Sequence, residues 1–180
     1  MGDWVACYAS RMTLDQLLAS GLLLLATLQR LIELIIANRN TRALLADGAY
    51  EVGRGHYPVI LFLHGAWLVS LWALLLIGDA QFQLWPAIGY LLVQVLRVWT
   101  LVTLGRYWTA RIIVVPHAPL VRTGPYRFIR HPNYLVVVLE ICLLPLALGS
   151  WPPALGFSIA NAIVLAWRIR SEETTLAPRR

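Results

Sequence analysis

The sequence has none of the short motifs that mark the common soluble cofactor folds. It contains no GxGxxG run after a strand, no GxxxxGK[ST], no HExxH and no CxxC. A Rossmann dinucleotide fold, a P-loop and a structural zinc site depend on such runs, so the sequence excludes them. Any nucleotide-like cofactor must be held by another architecture, and we expect no metal site.

Cysteine and charge are also scarce. Cys7 and Cys142 lie before the first apolar segment and inside a later one, so they predict neither a disulfide framework nor a metal site. Only 13% of the residues are charged, 59% are hydrophobic, and the mean hydropathy is +0.66. A soluble domain of 180 residues cannot bury so much apolar surface. The composition therefore predicts an integral membrane protein, and we expect no nucleic-acid partner.

Five apolar segments predict an all-α, polytopic membrane protein. They cover about 16–37, 59–77, 84–104, 134–149 and 154–169. The first three are long enough to cross a hydrocarbon core of ~30 Å. The run GSWPP at 149–153 separates the last two and predicts a tight helical hairpin, with Pro145 bending its first helix. Two full spans and a single re-entrant hairpin both fit this pattern.

Arginines lie mainly in loops on one side of this arrangement. They occupy the first loop, the third loop and the C-terminal tail, as Arg39, Arg42, Arg54, Arg106, Arg111, Arg122, Arg127, Arg130, Arg168, Arg170, Arg179 and Arg180. Because loops that face the cytoplasm are rich in Lys and Arg, this predicts an outer N-terminus and a cytoplasmic C-terminus. A re-entrant hairpin gives the same distribution. In both topologies the active site faces the cytoplasm, in the inner (plasma) membrane.

Ionisable side chains inside the spans lie toward the same side. They are Arg30, Glu33, His64, Arg97 and Glu140. Ionisable groups in a bilayer are costly and face a protein interior or a wet cavity, so they predict a polar pocket beneath the loop 105–133. Arg30 and Glu33, three residues apart on one helix, neutralise each other in the plainer interpretation.

The stretch 122–140, RTGPYRFIRHPNYLVVVLE, is the candidate active site. Pro132 fixes the backbone where a helix begins and disfavours helix at His131, so Arg130 and His131 project from a rigid turn at a helix N-terminus. The free N–H groups there suit a carboxylate or phosphate. An interfacial Arg/Tyr anchor is the plainer alternative, but the Gly-Pro-Tyr turn at 124–126 favours the functional interpretation.

A pair of carboxylates, Glu172 and Glu173, follows the last span in the run RIRSEE. The positive-inside rule does not explain them. They could accept the hydroxyls or the amine of a cofactor, or pair with Arg127 and Arg130. A solvated charged tail is the plainer interpretation.

These residues together resemble a known family. The run LVRTGPYRFIRHPNY, a helix–PP–helix hairpin and RIRSEE, within roughly 101–176, resemble the C-terminal core of the isoprenylcysteine carboxyl methyltransferase family. Its members are multi-span membrane enzymes that use S-adenosylmethionine. The spacing G-x-Y-x-x-x-R-H-P-x-Y and the Glu-Glu pair carry the resemblance. The N-terminal half looks more like a bacterial branch associated with O-methylation of alkylpyrones and alkylresorcinols.

The resemblance implies one transmembrane domain, 1–180, with three N-terminal spans in 1–104 and a catalytic core in 105–180. The implied S-adenosylmethionine pocket contains His117, Gly124, Tyr126, Arg130, His131, Pro132, Tyr134, Glu172 and Glu173. The expected reaction methylates an oxygen (carboxylate, enol or phenol) of a lipid-tailed acceptor within membrane lipid. Glu140 and His64 are candidate bases for a phenol, and Arg97 or Arg30 could pair with an anionic head. Glu140 could equally be a member of an ion pair.

Two other functions stay open at this point. An NADPH-dependent membrane reductase of the sterol-reductase type carries a similar RHPNY run before its last helices, and nucleotide binding would favour it. A non-enzymatic membrane partner or a small transporter is the third function. A charged site confined to one leaflet argues against a conduction path. The sequence carries no indication of oligomeric state.

Overall fold

The computed structural model describes residues 13–116, 118–119 and 121–176, without the side chains of 173–176. These residues form five α-helices: α1 (Leu14–Ala46), α2 (His56–Leu76), α3 (Leu84–Leu104), α4 (Pro132–Ala147) and α5 (Trp151–Leu176). Strands β1 (Tyr50–Val52) and β2 (Ile112–Val114) pair antiparallel, with Glu51 opposite Ile113. Two 3-10 turns cover Gly105–Tyr107 and Gly124–Arg127. The predicted all-α membrane architecture is confirmed. His117, Cys7, Arg179 and Arg180 lie outside the described residues.

Four of these helices, α1, α2, α3 and α5, are long and apolar enough to cross a bilayer. The fifth, α4, has 16 residues and spans about 24 Å, which is less than a hydrocarbon core of ~30 Å. It packs between α3 and α5, and its Val136, Glu140, Ile141 and Leu144 are fully buried. One face of α4 is therefore packed against protein, while Leu135 and Val138 remain 37% and 39% exposed.

Helix α1 continues well past its predicted membrane segment. The predicted segment ends near residue 37, whereas the helix runs to Ala46. Thr13 and Gln16 form a capping box at its N-terminus. Near the other end, the Asn40 side chain donates to the carbonyl oxygen of Trp108 at 2.8 Å. The α1 extension therefore supports the loop after α3.

The hairpin between α4 and α5 forms as predicted. The chain breaks at 148–150, and Pro152 and Pro153 lie in the first turn of α5, where missing N–H groups cost least. Gly149 has a φ of +75°, and a side chain there would come within 2.8 Å of the Gln81 carbonyl oxygen. Pro145 lies inside α4. The hairpin therefore packs tightly against the loop between α2 and α3; we call this the hairpin end of the bundle.

The apolar core fills the hairpin end. Its buried residues come from four helices and include Leu22, Leu23, Ala26, Trp67, Leu71, Ala87, Ile141, Leu144, Ala147 and Leu148. The alanines let the helix backbones approach closely, as small residues do in membrane bundles. The opposite end, which we call the loop end, carries residues 47–55, the 105–131 loop and the end of α5. Packing is less complete there, and both cavities described below lie toward that end.

Candidate functional site

A cluster of four charges connects α1, α3 and α4 inside the bundle. Arg97 donates to Glu140 from Nε at 2.8 Å and to Glu33 from Nη1 at 3.2 Å. Arg30 donates to Glu33 at 3.0 Å and also binds Glu140. Arg97 is 2% exposed and Glu140 is 0% exposed. Two positive and two negative charges cancel, which is how buried charges are tolerated in a membrane bundle.

Glu140 already accepts four hydrogen bonds in this cluster. Its Oε1 accepts from Arg97 and from Gln94, at 2.8 and 3.0 Å, and its Oε2 accepts from Arg30 and Arg97. A carboxylate offers about four lone-pair positions, so little capacity remains for a substrate proton. Glu140 also borders neither cavity. This geometry favours the ion-pair role among the two that the sequence left open.

A cavity of about 290 Å³ lies beside the ion cluster, enclosed by α1, α2, α4 and α5. We call it the membrane cavity. Arg30, Glu33 and Arg97 border it on one side, and the rest of its lining is mostly apolar. Leu31 on α1 and Leu61 on α2 both line it, although they are 53% and 43% exposed. The cavity therefore reaches the outer surface between α1 and α2, where lipid surrounds the bundle.

His64 borders the membrane cavity from α2. Its Nδ1 lies 2.8 Å from the carbonyl oxygen of Ile60. A neutral histidine that donates from Nδ1 keeps Nε2 as an acceptor, and Nε2 has no hydrogen-bond partner in the described part of the chain. Seven residues separate His64 from Tyr57, which also lines the cavity, so His64 lies about 10 Å deeper in the bundle.

A second, larger cavity of about 770 Å³ lies at the loop end; we call it the loop cavity. It is lined by the 104–131 loop, the start of α4 and the end of α5. Five of the predicted cofactor residues line it, namely Tyr126, Arg130, His131, Tyr134 and Glu172. Its volume falls within the range of about 300–1,000 Å³ that is usual for small-molecule sites.

The predicted turn before α4 has the expected backbone. His131 is the N-cap residue, with φ −131° and ψ 67°, and Pro132 is the first helical residue. The His131 ring stacks on the Tyr134 ring, with centroids 5.2 Å apart. Because Pro132 holds the turn, these two rings present a fixed surface to the loop cavity.

The end of α5 is joined directly to this turn. The hydroxyl of Tyr134 donates to Glu172 and accepts from Arg168 Nε at 3.0 Å. Arg168 also donates from Nη1 to the carbonyl oxygen of Ala110 at 2.8 Å. The structure thus brings one carboxylate of the predicted tail pair to the candidate active site. The side chain of Glu173 lies outside the described residues.

Two predicted cofactor residues shape the site without lining the loop cavity. Gly124 has a φ of +57°, and a side chain there would collide with Thr103 of α3. Only glycine readily combines this φ with so close an approach. Pro132 is buried at the start of α4. Both residues hold the loop against the helices.

Tyr126 offers the loop cavity a neutral phenol. Burial raises the pKa of Tyr126, and the nearby Glu172 carboxylate raises it further. Both causes destabilise the charged phenolate form relative to the neutral phenol. Tyr126 therefore keeps its O–H donor at physiological pH.

The two cavities share a wall. Five residues border both of them: Trp108, Thr109, Asn133, Tyr134 and Arg168. Within the described chain, Trp108 Nε1 and Asn133 Oδ1 are buried without a hydrogen-bond partner. Buried polar atoms nearly always have partners, so unpaired ones beside a cavity point to a bound ligand or water. This wall is the place where two ligands could meet.

Sequence reasoning missed most of this wall. Asn133 stands at the variable position of R-H-P-x-Y, and Arg168 was assigned only as a positive-inside residue. Trp108 and Asn161, a further polar residue of the membrane cavity, carried no signal in the sequence. Their positions depend on contacts between distant segments, such as the bond from Asn40 to the backbone of Trp108.

The three predicted catalytic residues do not line the loop cavity, and among the described cofactor residues only Tyr134 borders both cavities. Glu140 lies seven residues, or about 10 Å, deeper along α4 than Asn133 of the shared wall. Arg97 and His64 border the membrane cavity and do not border the loop cavity.

Comparisons with known proteins give a consistent result. A family model described as "Isoprenylcysteine carboxyl methyltransferase (ICMT) family" matches residues 86–178. The uncharacterized protein YpbQ of Bacillus subtilis is 40% identical over 158 residues, covering 86% of this chain and 94% of that protein. An uncharacterized protein of Haemophilus influenzae is 26% identical over 152 residues, covering 82% and 88%. No solved structure matches. None of these matches supports a membrane reductase.

Proposed function

We propose that this chain, which belongs to the isoprenylcysteine carboxyl methyltransferase family and is a membrane methyltransferase, methylates an oxygen of a lipid-tailed acceptor. The methyl donor in this proposal is S-adenosylmethionine, which the family generally uses. One observation carries the proposal: a cavity at the loop end that is lined by five arginines and a mainly apolar cavity inside the bundle share a wall.

The loop cavity suits the donor chemically. S-adenosylmethionine, when bound, supplies a methyl group on a positively charged sulfur. Arg130 and the N-terminus of α4 at His131 suit its carboxylate, and the tail carboxylate Glu172 suits hydroxyl or amine groups. The ring faces of Tyr126 and Tyr134 favour a nearby cation. Arg111 Nε, buried without a partner among the described residues, is a further donor in this lining. His117 and Glu173 stay in the proposed set from the sequence.

The membrane cavity suits the acceptor. Its leucines and valines match a hydrocarbon chain, and its opening between Leu31 and Leu61 gives access from the bilayer. The donor would enter from the water-exposed loop end. Separate entrances let a water-soluble donor and an apolar acceptor reach the same wall without either crossing the other's surroundings.

The shared wall favours an acceptor oxygen that arrives ionised. It contains the guanidinium of Arg168 and neither a carboxylate nor an imidazole. Two of the Arg168 donors are already used, and the remaining N–H groups can bind an anionic oxygen. A carboxylate or an acidic enol needs no base, whereas a phenol would profit from one. We therefore propose a carboxylate or an enol, such as that of an alkyl hydroxypyrone, ahead of a phenol.

In this proposal the protein contributes alignment and the exclusion of water more than proton transfer. Trp108, whose unpaired Nε1–H can donate to an anionic oxygen, holds the acceptor head at the shared wall, and the rigid turn at Pro132 fixes the donor side. In this proposal Arg168 pairs with the anionic head, whereas Arg30 and Arg97, the candidates from the sequence, border the membrane cavity with their guanidinium groups engaged in the ion cluster. The cavity is lined from both 1–104 and 105–180, so those two parts would act together.

The proposed location is the inner (plasma) membrane, with the loop end facing the cytoplasm. The arginine-rich segments at the loop end support this orientation. A cysteine-labelling experiment with a membrane-impermeant reagent tests it. In a chain whose Cys7 and Cys142 are replaced by serine, a cysteine placed at exposed Arg54 should react only after the cells are opened, and one at exposed Asp79 should react in intact cells.

The central experiment measures binding and turnover separately. Purified protein should bind S-adenosylhomocysteine in a calorimetric titration, and His131→Ala should abolish that binding. Lipid extracts from cells with the chain should contain a species heavier by one CH₂ than extracts from cells without it. Purified protein should then methylate a fatty acid or an alkyl hydroxypyrone faster than an alkylphenol.

Asp79→Asn, at the opposite end of the bundle, is the control. It should bind S-adenosylhomocysteine like the wild type. Binding of NADPH in place of S-adenosylhomocysteine would reject the proposal, and so would identical lipid profiles with and without the chain.

A further inference from the structure

Polar residues line the membrane cavity at two depths. On α2, Tyr57 and His64 both border it, and on α5, Arg168 and Asn161 do so. Each pair is separated by seven residues, which is two helical turns, so its members share a helix face and lie about 10 Å apart along the axis. Tyr57 and Arg168 lie at the level of the shared wall. His64 and Asn161 form the other level, which we call the lower pair.

The two members of the lower pair lie at the same depth on facing helices. At the loop end, His56 Nε2 of α2 lies 3.0 Å from Ser171 Oγ of α5, and its ring centroid lies 4.0 Å from that of Trp167. The helices run antiparallel from this contact. His64 is eight residues, or about 12 Å, below His56. Asn161 is six and ten residues below Trp167 and Ser171, which is about 9 and 15 Å.

The lower pair has unused hydrogen-bonding capacity. Asn161 is 4% exposed, and its side-chain amide has no hydrogen-bond partner among the described residues. His64 uses only Nδ1. The neighbouring ion cluster does not supply a partner, because its members bond to one another. An unpaired amide is costly inside a membrane bundle, so both groups are placed to receive a ligand.

Only apolar side chains line the cavity between the two levels on α4 and α5. Val137 lies between Asn133 and Glu140 on α4, and Val164 and Leu165 lie between Asn161 and Arg168 on α5. Arg30, Glu33 and Arg97 also border the cavity, but they are engaged in the ion cluster. A ligand that satisfies both levels along α4 and α5 therefore needs a hydrocarbon segment with a polar group at each end.

We infer that His64 and Asn161 bind a second polar group of the acceptor, about 10 Å from the oxygen that is methylated. This inference rests on the proposed function, because the methylated oxygen is placed at the shared wall. It makes the lower pair a specificity determinant. An acceptor with only one polar end leaves the amide of Asn161 unpaired and binds less tightly.

Matched acceptors test the inference. The probes are a long-chain fatty acid and an alkyl hydroxypyrone, each with and without one hydroxyl placed about 10 Å from the acidic oxygen. For wild-type protein, the added hydroxyl should lower KM about tenfold, as expected for one or two hydrogen bonds. Asn161→Leu, which keeps the side-chain size, should erase this preference, and His64→Phe should reduce it.

Ser158→Ala is the matched control. Ser158 lies on α5 one turn from Asn161, and its Oγ is also buried without a partner in the described chain, but it does not border the cavity. This variant should keep the tenfold preference. S-adenosylhomocysteine binding, measured for every variant, reports folding and the donor site independently of the acceptor.

The results separate the inference from the proposed function. Wild-type protein that methylates both members of a probe pair with equal KM overturns the inference alone. An Asn161→Leu variant that binds S-adenosylhomocysteine and keeps the preference also overturns it. Methylation of none of the probes would reject the proposed acceptor classes, and the inference would fail with them.

Discussion

The loop cavity and the membrane cavity differ in charge and in access. The loop cavity is bordered by five arginines and by tyrosines, together with apolar side chains of the 104–131 loop, and it opens where Arg122 and Phe128 are exposed. The membrane cavity is bordered by leucines and valines around a closed ion cluster, and it opens toward lipid. The contrast explains how one small bundle could serve a water-soluble donor and an apolar acceptor, since each would meet its own kind of surface until the shared wall.

The interactions that hold the walls of the two cavities in place differ as well. The loop cavity depends on surface contacts: β1 pairs with β2, Arg111 binds Glu51 at 3.1 Å, and the Arg111 guanidinium lies 4.6 Å from the centre of the Tyr57 ring. The membrane cavity depends on buried charges. Removing a charge should therefore have very different consequences at the two places.

The largest loss of stability is expected from Arg97→Met. This change leaves Glu140 and Glu33 buried with Arg30 as their only cation, and breaking a buried ion pair costs about 3–5 kcal/mol. The melting temperature in detergent should fall steeply. Arg106→Met breaks a pair with Asp47 whose side chains are 59% and 58% exposed, and it should cost less than about 1 kcal/mol. Equal losses of stability in the two variants would contradict the conclusion that the membrane cavity depends on buried charges and the loop cavity on surface contacts.

Tyr134→Phe should have the next largest effect, because Tyr134 lies on the shared wall. It removes a hydroxyl that joins Glu172 to Arg168. Since hydrogen bonds to charged groups are worth about 1.5–3 kcal/mol, S-adenosylhomocysteine should bind about 10- to 100-fold more weakly. The acceptor KM should rise too. Tyr50→Phe, at an exposed position on β1, should change neither quantity. A Tyr134→Phe variant that affects only one ligand would show that the wall is not shared in function.

Gly65→Leu tests whether the membrane cavity binds the acceptor without affecting the donor. Gly65 lines the membrane cavity, and a Cβ added there meets no atom within 4 Å. The Gly65→Leu variant should therefore fold, and its leucine side chain should fill part of the membrane cavity. The acceptor KM should rise about tenfold or more, as for a crowded apolar pocket, while S-adenosylhomocysteine affinity stays constant. Gly21→Leu, on α1 with the same free space and away from the cavity, is the control. Weaker donor binding in Gly65→Leu would contradict the separation of the two cavities.

The smallest effect concerns Tyr126 in the loop cavity. Its folded-state pKa is raised by burial, so above pH ~10 the unfolded chain loses this proton while the folded chain keeps it. Stability should therefore fall as pH rises through the unfolded pKa, by at most about 1.4 kcal/mol per pH unit from this residue. Melting curves between neutral and alkaline pH should show a shallower decline for Tyr126→Phe than for the wild type. Identical declines would mean that the loop cavity is fully hydrated at Tyr126.

Local sequence signals predicted the helices well, but not the C-terminal ends of α1 and α5, which run to Ala46 and Leu176 instead of about 37 and 169. Apolar runs indicated the helices, GSWPP indicated the hairpin, and Pro132 indicated where α4 begins. The pairing of β1 with β2 was not predicted, because it joins segments about 60 residues apart in the chain, and the β-branched run at 112–115 does not by itself indicate its partner. The partners of Glu140, 110 and 43 residues away along the chain, were equally out of reach of local reasoning.

The sequence by itself determined that this chain is a helical membrane protein with most of its arginines in segments on one side and a rigid His-Pro turn before α4. These properties follow from composition, hydrophobic length and proline stereochemistry, which act on neighbouring residues. Only the tertiary structure decided that Glu140 would bind two arginines, and that Trp108, Asn133 and Arg168 would separate two cavities. Such arrangements depend on helix packing, because side chains from different helices meet only after their backbones have been placed against each other.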